Sequence, residues 1–149
     1  MRKHILSCAL SCVLLMLFLW AIPASAQEHY TEGHVWRVTL IRVKPNQMDA
    51  YMTSLRQSTK RIYDEEKREG NVLDYKVFLK ETREGPQDWD ICIAVEYKNH
   101  AALDGSALRG EALRDKIIGG KQQGQQLGEK RVEMREIVSS ELLQEIILK

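Results

Sequence analysis

The stretch Val35-Trp36-Arg37-Val38-Thr39-Leu40-Ile41-Arg42-Val43-Lys44-Pro45-Asn46-Gln47-Met48-Asp49-Ala50-Tyr51 decides the fold. Its first half is rich in β-branched and aromatic residues, the composition of a strand. Lys44-Pro45 ends that strand, because proline brings no N–H to a ladder. Asn46 suits an N-cap, and Asp49 puts an acid in the first helical turn. Met48, Tyr51, Met52, Leu55, Thr59, Ile62, Tyr63 and Glu66 then recur on one face of a 3.6-residue period. The spacing predicts a helix from Asn46 to about Glu69, with Gly70 as its stop.

Downstream, Val72–Glu81 alternates, with Leu73, Tyr75, Val77 and Leu79 against Asp74, Lys76 and Lys80, and Phe78 as the exception. Arg83–Gln87 is a turn, and Trp89–Tyr97 alternates again, so the two runs make a hairpin. Asn99 is expected to cap a second helix reaching about Ile118, on a stripe of Leu103, Ala107, Leu113 and Ile117. Gly119-Gly120 breaks it. The polar stretch Lys121–Glu136 reads as a loop plus a short helix, and Ser140–Leu148 as the last strand. The order βαββαβ gives an α+β, ferredoxin-like antiparallel sheet with its helices on one face. That fold by itself names no function.

Upstream, Gln27–His34 is polar and reads as an N-terminal arm (27–34) before the domain at 35–149. Met1–Ala26 has a basic start, an apolar run from Ile5 to Ile22, and an A-x-A end at Ala24-Ser25-Ala26. These are the parts of a signal peptide cleaved after Ala26. The chain is therefore expected to be exported, to a periplasm or outside the cell, meeting the membrane only in transit. Cys8 and Cys12 leave with the leader, so Cys92 has no intramolecular partner. Loss of Arg2 and Lys3 tips a formal charge of +1 slightly negative, which argues against a nucleic-acid partner.

The strand alternation has a consequence for assembly. Leu73, Tyr75, Val77, Leu79, Trp89, Ile91, Ile93 and Val95 form the face expected under the helices. The other face is mixed, with Phe78, Cys92, Ala94 and part of the last strand. A mixed face is costly in water, so two copies are expected to pack sheet to sheet as a homodimer. By the same parity Arg37, Thr39, Asp74, Lys76, Asp90 and Glu96 point away from the helices, into a chamber between the subunits. Desolvated carboxylates and imidazoles make acid–base groups. Asp74, Asp90, Glu96 and His34 are thus the catalytic candidates, and Arg37, Trp36, Lys76, Phe78 and His100 the candidates for holding a small organic ligand. Each also suits an ordinary role, the charges pairing across strands and the histidines standing exposed. No H-E-x-x-H, C-x-x-C, G-x-S-x-G or phosphate-loop motif occurs, so no cofactor and no metal site is expected.

The βαββαβ order, the phrase Arg42–Tyr51 and the return strand after Arg135-Glu136-Ile137-Val138-Ser139-Ser140-Glu141-Leu142 resemble the dimeric α/β-barrel superfamily, in its antibiotic-biosynthesis-monooxygenase-like and NIPSNAP-like branches. The resemblance spans roughly Val35–Lys149. It implies two sheets paired into a barrel, and activities that range from cofactor-independent oxygenases, haem-degrading enzymes and isomerases to domains with no assigned reaction. Three functions follow: a small-molecule-binding domain, a cofactor-independent oxygenase or isomerase, or a non-catalytic interaction protein of the envelope.

Overall fold

The computed structural model describes residues 29–149, so the signal peptide read in Met1–Ala26 lies outside the described residues. Two compact units emerge, Met1–Tyr30 with Lys149, and Thr31–Leu148. Of the first only His29, Tyr30 and Lys149 are described, and there the Lys149 N–H donates to the His29 carbonyl at 3.1 Å. The second carries the elements that position the site. Among the described residues no helix is long and apolar enough to cross a membrane.

Strand β1 runs from Tyr30 to Val43. It starts ahead of Val35, so Tyr30–His34 are strand rather than arm. The reason is pairing with the last strand: Gln144 Nε2 donates to the Gly33 carbonyl at 3.0 Å, and the His34 N–H donates to Glu145 Oε2 at 3.0 Å. A polar segment with its backbone groups satisfied in this way is ordered without apolar burial.

Helix α1 follows as one continuous rod, with α-helical turns Met48–Ser54 and Arg61–Arg68 flanking a π-helical segment Leu55–Lys60. Its N-cap is Gln47 and not Asn46, and no side chain caps it. Asn46 instead takes φ 61°, a left-handed conformation that asparagine tolerates, and turns the chain off β1. Asp49 does sit in the first turn. Gly70, at φ 76°, stops the helix as expected: its N–H reaches the Lys67 carbonyl at 3.1 Å, and the Asn71 N–H reaches Glu66 at 2.9 Å.

Strands β2 (Asp74–Leu79) and β3 (Ile91–Tyr97) form the hairpin. Asn99 caps only a short 3-10 turn, His100–Leu103, through its side chain and the Ala102 N–H. Gly105 at φ 68° breaks the chain there, and helix α2 begins at Ser106 and ends at Ile118. Gly119 and Gly120, both at positive φ, separate it from α3, Lys121–Met134. The expected loop plus short helix is thus one full helix. Gln, Glu, Lys and Arg are good helix formers and outweigh Gly124 and Gly128. The last strand, β4, extends from Arg135 to Leu148, starting before Ser140.

The sheet order is β2-β3-β1-β4, with β1–β3 and β2–β3 antiparallel. This is an α+β, ferredoxin-like fold. Val35, Ile41, Val43, Tyr51, Leu55, Val72, Ile91, Ile93, Val95 and Tyr97 form the core between sheet and helices. The β1–β3 register sets Arg37 opposite Val95 and Thr39 opposite Ile93. Opposed residues share a face, so Arg37 and Thr39 point toward the helices, contrary to the sequence parity. The open face of β1 carries Trp36, Val38 and Leu40. Because β1 is central and apolar on both sides, its alternation could not fix which side was which.

Candidate functional site

A cavity of about 220 Å³ lies between the sheet and the helices. Strand β1 contributes Arg37, α1 contributes Thr59, Ile62, Tyr63 and Glu66, β3 contributes Tyr97, α2 contributes Arg109 and Arg114, and α3 contributes Arg131. Four guanidiniums therefore surround a space with a single carboxylate.

Each arginine is placed by a local device. Arg37 Nη1 donates to the Tyr97 hydroxyl at 3.3 Å, and its guanidinium carbon stands 5.3 Å from the centre of that ring, a cation–π contact. Arg109 is clamped onto the 3-10 turn, with Nη1 to the Asp104 carbonyl at 2.5 Å and Nη2 to the Ala102 carbonyl at 2.8 Å. Its Nε is buried and has no hydrogen-bond partner. Arg131 is seated on hydroxyls of α1: Ser54 at 3.4 Å, Thr59 at 3.2 Å, and Ser58. Ser58 and Thr59 belong to the π-helical segment. A π segment widens the helical turn locally and is often found at functional sites. Here it presents hydroxyls to a cation on the neighbouring helix.

None of Arg37, Arg109, Arg114 or Arg131 forms an ion pair with a carboxylate among the described residues. Burial pulls the Arg131 pKa below its usual value, and the positive charges of Arg135 and Arg114 act in the same direction. The tyrosines are shifted the other way. Burial raises Tyr63, with Tyr97 and Glu66 adding to it. Burial also raises Tyr97, where Glu66 adds and Arg37 subtracts. Both phenols stay protonated at neutral pH and are hydrogen-bond donors. Glu66 is 8% exposed. The arrangement is a cation-rich cavity with one buried carboxylate beside two phenols.

Of the sequence candidates, Arg37 is in this cavity and the others lie elsewhere. Asp90 is buried and occupied: one oxygen accepts the Val43 N–H at 2.8 Å and the other pairs with Arg83. It pins the end of β1, with both carboxylate oxygens engaged. Trp36, Lys76, Phe78 and Glu96 share the open sheet face with Asp74. Asp74 is bound by Lys67 at 2.7 Å, and that hydrogen bond lowers its pKa. Lys76 Nζ sits 5.8 Å from the centre of the Trp36 ring, Phe78 is exposed, and His34 Nδ1 lies 2.7 Å from Glu96 Oε1. His100 is exposed on the 3-10 turn. Burial pushes the Cys92 thiol up, which favours its protonated form. Sequence reasoning missed Glu66, Arg109, Arg114 and Arg131 as a group. One signal was present: Glu66 falls on the apolar stripe of α1, where a charge is out of place.

No protein-family model matches the chain, and no curated protein matches it. Solved structures do. HapK from Hahella chejuensis is 13% identical, over 74% of this chain and 91% of that one, with a TM-score of 0.50. A dimeric protein of unknown function and ferredoxin-like fold from Bacteroides fragilis is 13% identical, over 79% of this chain and 100% of that one, with a TM-score of 0.45. A dimeric ferredoxin-like protein of unknown function from Jannaschia is 14% identical, over 77% and 98%, with a TM-score of 0.43. At such identities the likeness is one of fold.

Asp90→Ala leaves the Val43 N–H unsatisfied in a buried place and the Arg83 guanidinium without its carboxylate. It should lower the unfolding free energy by about 1–3 kcal/mol in urea titration.

Proposed function

We propose that this chain is an exported, homodimeric ferredoxin-like protein that binds a small carboxylate-bearing organic molecule in the cavity between sheet and helices. The observation that carries the reading is the uncompensated cluster of Arg37, Arg109, Arg114 and Arg131, with the buried Arg109 Nε lacking a partner. Arg37, Arg109 and Arg131 are half-buried and Arg114 is exposed. Partly desolvated cations without a counter-charge favour an anion, and an arginine fork matches a carboxylate in shape and charge. This reading puts the site on the helix-covered face of the sheet. Membership of the antibiotic-biosynthesis-monooxygenase-like or NIPSNAP-like group rests on the βαββαβ order, and export rests on the leader.

Dimerisation has its own support. Phe78 on the open face is 48% exposed, and the edge strand β4 exposes Leu142, Leu143, Ile146 and Ile147. Consecutive strand residues point to opposite faces, so β4 is apolar on both sides. Exposed apolar surface on the open face and along this edge suits a second copy related by a two-fold axis. The second reading is catalysis. Glu66, buried beside Tyr63 and Tyr97, is placed to move a proton on a bound acid, as an isomerase or cofactor-independent oxygenase requires.

Calorimetric titration with benzoate and hexanoate should show binding, with neutral benzamide silent. Arg37→Gln and Arg109→Gln should each weaken benzoate about tenfold or more, corresponding to a charged hydrogen bond of 1.4 kcal/mol or above. Equal binding of benzoate and benzamide, or indifference to both substitutions, contradicts the reading. If Glu66 is a base, the protein should speed exchange of the ketone-activated C3 hydrogens of bound 2-oxobutanoate with D2O, and Glu66→Gln should stop it. No exchange leaves a binder only. By sedimentation the protein should be a dimer, shifted toward monomer by Phe78→Glu or Leu143→Glu. A monomeric parent protein contradicts the self-association and favours a different envelope partner for the apolar surface.

A further inference from the structure

A second cluster stands on the open side of the sheet, away from the arginine cavity. His34 on β1, Glu96 on β3 and Glu145 on β4 come from three neighbouring strands. Each offers one ligand atom, and those atoms all lie within 4.8 Å of one another. His34 Nδ1 and Glu96 Oε1 are already 2.7 Å apart, and Glu145 Oε2 accepts the His34 N–H at 3.0 Å.

The backbone is shaped for this meeting. A Cβ on Gly33 would lie 2.6 Å from Glu145 Oε2 and within 2.9 Å of its Cδ and Cγ. Only glycine at that position lets the Glu145 carboxylate lie across β1. Gln144 adds a tether, donating from Nε2 to the Gly33 carbonyl at 3.0 Å. An ordinary cross-strand ion pair needs a histidine and one carboxylate. Here a second carboxylate is drawn in over a glycine and fixed by a backbone N–H.

We propose that His34, Glu96 and Glu145 bind a divalent first-row metal ion, with zinc the best match. An imidazole with two carboxylates is a nitrogen–oxygen donor set suited to zinc, which takes three protein ligands and leaves a fourth position open. His34 supplies Nδ1, and each glutamate supplies one oxygen. Metal binding replaces the His34–Glu96 hydrogen bond and joins the three strands β3, β1 and β4. This site is independent of the arginine cavity and does not rest on the ligand proposed there.

The test is titration of the metal-stripped protein with zinc chloride, read by calorimetry and by competition with a chromogenic chelator. One zinc per chain should bind. His34→Ala, Glu145→Gln and Gly33→Ala should each weaken binding about tenfold or more, and Glu129→Gln, on α3, should not. Circular dichroism of each variant confirms that it folds. Gly33→Ala keeps all three ligands, so its loss of affinity reports the seating of Glu145 in particular. Absence of stoichiometric zinc binding overturns the proposal. So does binding that survives both His34→Ala and Glu145→Gln, which would place the ion on other residues.

Discussion

Arg37 lies opposite Val95 across the β1–β3 ladder, and that register governs most of what the molecule presents. It turns Val35, Ile41 and Val43 into core, and it sends the Arg37 guanidinium under the helices, where Tyr97 receives it. The opposite choice would have exposed Arg37 and buried Trp36, Val38 and Leu40, since a one-residue slip exchanges the two faces of a strand. The same register puts Trp36 beside Glu96 on the open side. Cavity and open face are therefore two outcomes of one pairing.

The second constraint is electrostatic. Folding brings Arg37, Arg109, Arg114 and Arg131 around a space with Glu66 as its only carboxylate. Hydroxyls, carbonyls and an aromatic face stand in for counter-ions: Ser54, Ser58 and Thr59 for Arg131, the turn carbonyls for Arg109, and the Tyr97 ring for Arg37. Neutral partners orient a guanidinium without cancelling its charge, which is the ground for the proposed anion. The π-helical segment of α1 supplies Ser58 and Thr59 to this arrangement and so links a local backbone feature to the electrostatics of the cavity.

The fold was legible because long-period signals carried it. The helix α1, the alternation of β3, and the breaks at Gly70 and Gly119-Gly120 all stand in the structure. Along the edge strand β2 the apolar set Leu73, Val77 and Leu79 is exposed rather than covered by the helices. The site was less legible, for physical reasons. A central strand apolar on both faces gives no parity, so Arg37 was expected on the wrong face. Asp90 looked like a free carboxylate, because nothing in sequence shows that the Val43 N–H and Arg83 occupy it. Arg131 sits in a stretch read as a loop plus a short helix, and without the full helix its direction toward Ser58 could not be read. Glu66 alone had a readable mark, a charge on an apolar stripe.

The central claim is that the arginine cavity receives a carboxylate, and the Arg109 Nε–H is its most direct reporter because that donor is buried with no partner. Nuclear magnetic resonance of the arginine side chains during titration with benzoate measures it. The account predicts a saturable shift of the Arg109 Nε–H signal, with Arg37 following, while exposed Arg56 and Arg61 stay in place. An unmoved Arg109 signal, or shifts of all arginines alike that grow with added salt, would contradict it.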